Sequence, residues 1–441
     1  MLAMSGRIGS SIFLFAALFA VSGCVRMTFA WADLEPDGDA ARPELLSAVA
    51  GESHDAWRAA KAPAIRDALQ REVFGYFPDA SATRIIEHKT LNENAFGGRG
   101  VLEEYRLAVT AIFSGVAVES EGALRADGSP ASFFMNVVTP KNATGPSPVL
   151  LMETFCRRWD TLPDPAVAGA PAEMKKRGGI ETYVFGRFIC TPPVEEILDA
   201  GYAIATIYPS ELAPDNREQG FAELARLSAG HDDADTRWGT VAAWAWAYSR
   251  MIDVLENDPR IDQDAIITWG HSRYGKSALL AAAFDDRIDG VISHQSGTGG
   301  ASLNRNKKGE TVKAITDSYP HWFARRYASF AGREVEMSID QHHMLALIAP
   351  RPVLLGNARR DVWSDPNGAF RAAMGANPVY ELAGSAGLDQ QRLDEWKPDA
   401  DIAFWIRAGT HGVVKEDWPA FLEFLDAHFK SQHAVAQADG R

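Results

Sequence analysis

Ser272 lies in the run Gly270-His271-Ser272-Arg273-Tyr274-Gly275-Lys276, directly after the apolar segment Ala265-Ile266-Ile267-Thr268-Trp269 and ahead of an Ala/Leu-rich stretch from Ser277 to Phe284. A buried strand that ends in Gly-x-Ser and turns at once into a helix is the layout of a nucleophile elbow, which exposes a serine hydroxyl on a sharp turn. The hydroxyl attacks only when a base takes its proton, and the base needs an acid to fix its tautomer and stabilise its cation. Where such an elbow occurs, acid and histidine follow the serine in that order, each on a loop after a later strand. Here Pro352-Val353-Leu354-Leu355-Gly356 precedes the segment Asn357 to Pro366, which holds Asp361 and Asp365, and Ile402-Ala403-Phe404-Trp405-Ile406 precedes Gly409-Thr410-His411-Gly412. Of eleven histidines, His411 is the expected base, because it follows the last apolar strand on a glycine-flanked loop before a closing helix from Val414 to Phe429. His342 and His343 open the apolar segment leading to Pro350 and suit a structural or wall role; His271 is expected to point into the sheet. One departure marks the elbow: Tyr274 stands where Gly-x-Ser-x-Gly places its second glycine, and Gly275 comes one residue late.

The elements that must position these groups read as alternating strands and helices. Strand-like runs cover Phe133 to Val138, Pro148 to Met152, Tyr202 to Tyr208, Ala265 to Trp269, Gly290 to Ser293, Pro352 to Leu355 and Ile402 to Ile406, with a strong helix over Thr240 to Glu256. That alternation predicts an α/β class: a mostly parallel sheet with helices on both faces and ligands beyond the strand C-termini. Pro43 to Phe77 reads as helical, and Arg84 to Ala117 as antiparallel strands around the turn Gly97-Gly98-Arg99-Gly100. Residues 25–125 are thus expected to form an N-terminal extension integrated with a catalytic domain over 126–432. Two long polar stretches, Arg157 to Ile189 and Ser302 to Gln341, interrupt the pattern; loops of such length in a compact domain are functional or disordered. The second, rich in Arg, Trp, Tyr and His, suits a binding wall.

With 441 residues, 46% hydrophobic and 23% charged, the chain has ordinary globular composition. A formal net charge of -14 and no visible basic stripe argue against nucleic-acid binding. An anionic substrate would need local cations. Arg7 followed by an apolar stretch from Ile12 to Val21, too short to span a bilayer, reads as a secretory signal over residues 1–24. Val21-Ser22-Gly23-Cys24 resembles a bacterial lipobox, which would leave a lipidated Cys24 as a membrane tether; cleavage after Ala30-Trp31-Ala32 is the rival. Export to the periplasm or outer membrane, or secretion, is expected. There Cys156 and Cys190 either close a disulfide or stay as two thiols. Neither has the C-x-x-C spacing of a zinc site.

A family resemblance rests on several further stretches. Gly270-His271-Ser272-Arg273-x-Gly275-Lys276, Ser296-Gly297-Thr298-Gly299-Gly300-Ala301, Gly309-Glu310-Thr311-Val312 and Pro320-His321-Trp322-Phe323 occur in order. They are followed by Asp340-Gln341-His342, Ala349-Pro350-Arg351-Pro352, Asp361-x-Trp363-x-Asp365-Pro366 and Gly409-x-His411. In these the chain resembles the glucuronoyl esterases, a carbohydrate esterase family of α/β-hydrolase fold, in its bacterial branch. Val194-Glu195-Glu196-Ile197-Leu198 also fits, whereas the first hundred or so residues match poorly. The resemblance implies a serine esterase that cleaves the ester between glucuronic acid side groups of xylan and alcohols of lignin, without metal or organic cofactor. It implies Ser272 as nucleophile, His411 as base, Arg273 at the oxyanion through its backbone N–H and guanidinium, and Lys276, Glu310 and Trp363 around the sugar. The bland alternatives are an Arg273 paired with a carboxylate, a solvated Lys276 and a core Trp363.

The acid departs from part of the family. Fungal members, and some bacterial ones, carry a catalytic glutamate just before the Ser-Gly-x-Gly-Gly turn, where this chain has Gln295, which cannot bear the charge. Other bacterial members use an aspartate after a later strand, matching Asp361, with Asp365 as fallback because Asp-Pro opens turns. Two rival functions remain from the sequence: an esterase of acetylated xylan, and a carbohydrate-binding protein on a decayed hydrolase, for which Gln295 is the motive. A monomer is expected.

Overall fold

The structure, a computed structural model, describes residues 52–120, 133–172, 180–305 and 308–430. The signal segment with Cys24, and the start of the helix expected from Pro43, lie outside the described residues.

Among the described residues ten strands form one sheet: β1 (Ala80–Asn94), β2 (Gly100–Phe113), β3 (Val116–Glu119), β4 (Phe133–Pro140), β5 (Ser147–Glu153), β6 (Ala203–Ile207), β7 (Ile261–His271), β8 (Gly290–His294), β9 (Val353–Ala358) and β10 (Ile402–Arg407). Their order is β1-β2-β4-β6-β5-β7-β8-β9-β10, with β3 beside β2. From β6 to β10 every pairing is parallel; β1, β2, β3 and β4 join antiparallel. The N-terminal strands therefore extend the catalytic sheet itself.

The parallel strands are buried along nearly their whole length, as strands covered on both faces must be. Their side chains alternate between two cores. Val149, Leu151, Ile266, Val291 and Leu355 face one core, and Leu150, Met152, Ile267, Ile292 and Leu354 the other. The helices used below are α1 (His54–Leu69), α2 (Val194–Asp199), α3 (Thr240–Leu255), α4 (Arg273–Phe284), α5 (Gln341–Ile348), α6 (Pro366–Leu382) and α7 (Asp417–Leu425). The first core is closed by α1, α3, α4, α5 and α6, and the second by α2 and α7. This is the doubly covered α/β arrangement that the alternating pattern predicts.

Cys156 and Cys190 are joined in a disulfide, with Cα atoms 5.2 Å apart, so the stretch Arg157 to Ile189 is a closed loop. Its far end docks on the segment after His411: the Val413 N–H donates to the Phe185 carbonyl (2.8 Å) and the Phe188 N–H to the Val413 carbonyl (3.0 Å). The second long stretch contains the short helices Val312–Ser318 and Arg325–Ala328 and packs Trp322, Phe323 and Tyr327 into the core.

At the C-terminal end of β5, Glu153 is fully buried. Burial pushes its carboxyl well above the usual range against the opposing effect of its hydrogen bond with Ser277, and its second oxygen has no partner. A carboxyl whose folded pKa is raised leaves stability intact below its ordinary value near 4.5. It then subtracts stability as pH climbs toward the folded value, by about 1.4 kcal/mol per pH unit. Glu153→Gln retains the shape and removes the titration, so urea unfolding should show its advantage over the natural protein growing as pH rises above the ordinary carboxyl value near 4.5. A pH-independent difference would mean that Glu153 is ionised in the fold.

Candidate active site

The elbow is formed at the junction of β7 and α4. Ser272 has φ 56° and ψ −122°, a backbone region that L-residues adopt only when surrounding structure enforces it. Its N–H donates to the His294 carbonyl of β8 (2.8 Å). A Cβ on Gly270 would lie 1.9 Å from the Tyr274 carbonyl oxygen, and one on Gly275 3.0 Å from the Gly270 carbonyl oxygen. The close approach that the turn needs is thus made between Gly270 and Gly275. That frees position 274 for a core residue: Tyr274 is buried, 5.2 Å from the Trp244 ring and 4.7 Å from the Phe155 ring. The late glycine is a feature of packing under the turn. Ser272 caps α4, so the Arg273 N–H opens the helix where amides have no intrahelical acceptor.

His411 follows β10 and Asp361 follows β9, and the His411 Nδ1 lies 2.7 Å from the Asp361 Oδ2. Burial acts to raise the Asp361 carboxyl, but the His411 imidazole and Ser364 hold it below the ordinary carboxylate value. Asp365 has a different use: at φ 52° it caps α6, accepting from the Gly368 N–H (3.0 Å). Gln295, also at positive φ (50°), spans the histidine loop. Its Oε1 accepts from the Gly412 N–H (2.8 Å) and its Nε2 donates to the Thr410 carbonyl (3.4 Å). His342 and His343 are buried in the first turn of α5, where His343 Nδ1 accepts from the Asp340 N–H (3.0 Å).

Lys276 is buried, not solvated; its Nζ donates to the carbonyls of Ser296 (2.5 Å) and Thr298 (2.6 Å). Thr298 in turn hydrogen-bonds through its hydroxyl to the Glu310 carbonyl, and the Glu310 N–H donates to the Trp363 carbonyl (2.8 Å). The structure thus brings Lys276, Glu310 and Trp363 together around one turn, and Trp363 is half-buried beside Asp361 rather than in the core.

The Arg273 guanidinium pairs with Asp215 (3.0 Å) and lies over Phe155 (4.7 Å) and Trp322 (5.9 Å). Asp215 also accepts from His321 Nε2 (3.0 Å) and Trp322 Nε1 (2.7 Å). Burial acts to raise its carboxyl, yet these donors and Arg273 hold it below the usual range. Sequence reading missed Asp215, because no motif surrounds it. The motif Pro320-His321-Trp322-Phe323 is the indirect signal, since two of its side chains grip that carboxylate. Among the described residues no group of three or more His, Cys, Asp or Glu side chains is arranged to hold a metal ion.

The elbow, the sheet order and the loops after β9 and β10 define an α/β-hydrolase. A family model for fungal glucuronyl esterase matches residues 198–384. A glucuronoyl esterase from Solibacter usitatus superposes with a TM-score of 0.70 at 31% identity, over 88% of this chain and 97% of that one. A promiscuous carbohydrate esterase family 15 enzyme from a marine bacterial metagenome does so with a TM-score of 0.70 at 30% identity, over 88% and 96%. The chain belongs to the glucuronoyl esterase family. It is also 40% identical over 239 residues to carbohydrate esterase MZ0003 of an unknown prokaryotic organism, a stretch covering 53% of this chain. That match spans 55% of the curated relative's length.

Removing Asp215 would strand a mostly buried guanidinium and two N–H donors. Asp215→Ala should therefore lower unfolding stability by about 3 kcal/mol, and adding Arg273→Met should restore most of it in chemical denaturation. Equal stability of Asp215→Ala and the natural protein would show that the pair contributes nothing.

Proposed function

We propose that this chain is an exported serine esterase that hydrolyses glucuronoyl esters, including the ester between glucuronoxylan and lignin alcohols. The observation that carries this reading is the 2.7 Å His411–Asp361 contact on loops beside the strained Ser272 elbow, in a chain of the glucuronoyl esterase family. Ser272 Oγ attacks the uronate carbonyl while His411 Nε2 takes its proton. Asp361, still ionised, holds Nδ1–H and stabilises the imidazolium. The oxyanion forms toward the Arg273 N–H, where the positive end of α4 favours negative charge. Collapse expels the alcohol with the proton from His411, and water repeats the sequence to release the uronic acid from Ser272.

Lys276, Glu310 and Trp363 form the sugar side of the site. An indole face suits the apolar face of the ring, and charged groups suit its hydroxyl rim. The Arg273 guanidinium, stacked between Phe155 and Trp322 and tied to Asp215, supports the oxyanion at the border between that patch and the elbow. Gln295 holds the histidine loop without serving as acid. Export through the segment ending at Cys24, with lipidation of that cysteine, accords with a polymeric substrate outside the cytoplasm, as does the disulfide.

Turnover of benzyl glucuronate tests the reading. The natural protein should hydrolyse it, and Ser272→Ala and His411→Ala should leave no enzyme-dependent rate above background. Asp361→Asn should reduce kcat about 10³- to 10⁴-fold, and Gln295→Ala less than about tenfold. Because one relative is described as promiscuous, an acetylated xylo-oligosaccharide belongs in the same assay: a higher kcat/KM for acetate sinks the glucuronoyl assignment. Full activity of Asp361→Asn moves the acid elsewhere.

A further inference from the structure

Behind His411 runs a buried polar chain that the reaction as described does not use. Arg407, at the end of β10, donates from NH2 to the carbonyls on both sides of the histidine, Thr410 (3.2 Å) and Gly412 (2.7 Å). Its Nε donates to Asp417 Oδ1 at the start of α7 (2.7 Å), and the other Asp417 oxygen accepts from the Val414 N–H (2.9 Å). The same Asp417 Oδ1 faces His294 Nε2 at 3.5 Å. His294 and His271 are register partners on β8 and β7, and their Nδ1 atoms are 3.1 Å apart. The His271 ring then packs against that of His411, with centroids 4.6 Å apart. The chain leaves the histidine loop through its backbone and returns to the face of its ring.

One proton arrangement fits all of these contacts. Arg407 and Asp417 cancel one another's charge, and with the Nε2–H of His294 turned toward the Asp417 carboxylate, a 3.5 Å charge contact rather than a hydrogen bond, its Nδ1 keeps a lone pair. His271 then donates from its own Nδ1. A neutral His271 lies beside His411, so no second cation opposes the imidazolium as it forms. We propose that Arg407, Asp417, His294 and His271 are positioning residues for ester hydrolysis: they lock the His411 loop and keep a neutral imidazole of fixed tautomer against the catalytic ring.

Burial holds both His271 and His294 below the ordinary imidazole range, with the neighbouring His411 adding to the effect at each. Asp417 stays ionised: burial acts to raise it, and His294 and Arg407 outweigh that. The site around His294 is closely fitted. The Phe421 ring stands edge-on at 5.3 Å, and a Cβ on Gly356 would come within 2.7 Å of the imidazole Cδ2.

The inference rests on His411 acting as the base. The test compares three variants of the full chain with the natural protein, using benzyl glucuronate kinetics, the fraction of serine labelled by a fluorophosphonate, and thermal unfolding. His294→Phe preserves ring volume and deletes both nitrogens; it should lower kcat about tenfold with KM within about twofold and labelling stoichiometric. Asp417→Asn, which also releases Arg407, should cost about a hundredfold in kcat with the same constancy of KM. His294→Gln presents an N–H to Asp417 and an oxygen to His271, and should recover kcat to within about threefold of the natural protein. A His294→Phe kcat equal to the natural value, a loss matched by loss of labelled protein, or a failure of glutamine to rescue overturns the proposal. So does failure of both His294→Phe and Asp417→Asn to fold, because the chain is then structural. If the natural protein hydrolyses no ester at all, the functional reading fails first and separately.

Discussion

The backbone at Ser272 is the constraint around which the rest is arranged. A serine at φ 56° and ψ −122° carries strain of about 1–3 kcal/mol, which persists only where neighbours over-determine it. Here they do so from three sides. β7 enters as a buried central strand, β8 takes the Ser272 N–H through the His294 carbonyl, and Tyr274 anchors the start of α4 beneath Trp244 and Phe155. Gly270 and Gly275 leave the space in which these supports meet. The strained turn is thus held by the core of the sheet, and the hydroxyl keeps its direction whatever the surrounding loops do.

A second theme is the neutralisation of buried charge. Three cations lie about the elbow, and each has defined partners: Arg273 with Asp215, Lys276 with two carbonyls, Arg407 with Asp417 and the loop carbonyls. Left unpaired, any of them would cost several kcal/mol. In the sequence, the family resemblance assigns Arg273 to the oxyanion and Lys276 to the sugar. The structure gives them framework duties as well. A cation fixed by its own partners reorganises little when an oxyanion appears, which is the condition under which a charged donor is most effective.

What the sequence disclosed followed from local pattern. Ser272 has a motif and His411 follows an apolar strand, so order along the chain pointed to them; order alone left Asp361 and Asp365 both open, and the family resemblance preferred Asp361. The strand runs were legible for the same reason, and their ends differ by a few residues: β5 gains one at each end, β6 loses one at each end, β7 starts four residues earlier, and β9 starts one residue later and runs three further. Asp215, His294, Arg407 and Asp417 were invisible, because their significance lies in contacts between elements remote in sequence. His271 illustrates the limit well. Sequence alternation turns its side chain toward the sheet, but only the register of β7 with β8 and the return of the loop after β10 place it between His294 and His411. The disulfide, left open by two isolated cysteines, depended likewise on how the long loop closes.

The residue at position 295 is fixed by the polarity of what it faces. On one side lies an N–H, that of Gly412, and on the other a carbonyl, that of Thr410. A primary amide matches both, since it has an acceptor and a donor on one planar group. A carboxylate would accept from Gly412 but set a second negative oxygen against the Thr410 carbonyl. It would also stand near the ionised Asp361 in a buried site, where like charges repel strongly and one of the two must take up a proton. Once Asp361 carries the negative charge, an amide at position 295 is the compatible partner. On the proposed reading, in which Asp361 is the acid, an amide at position 295 is what the site calls for and needs no loss of activity to explain it.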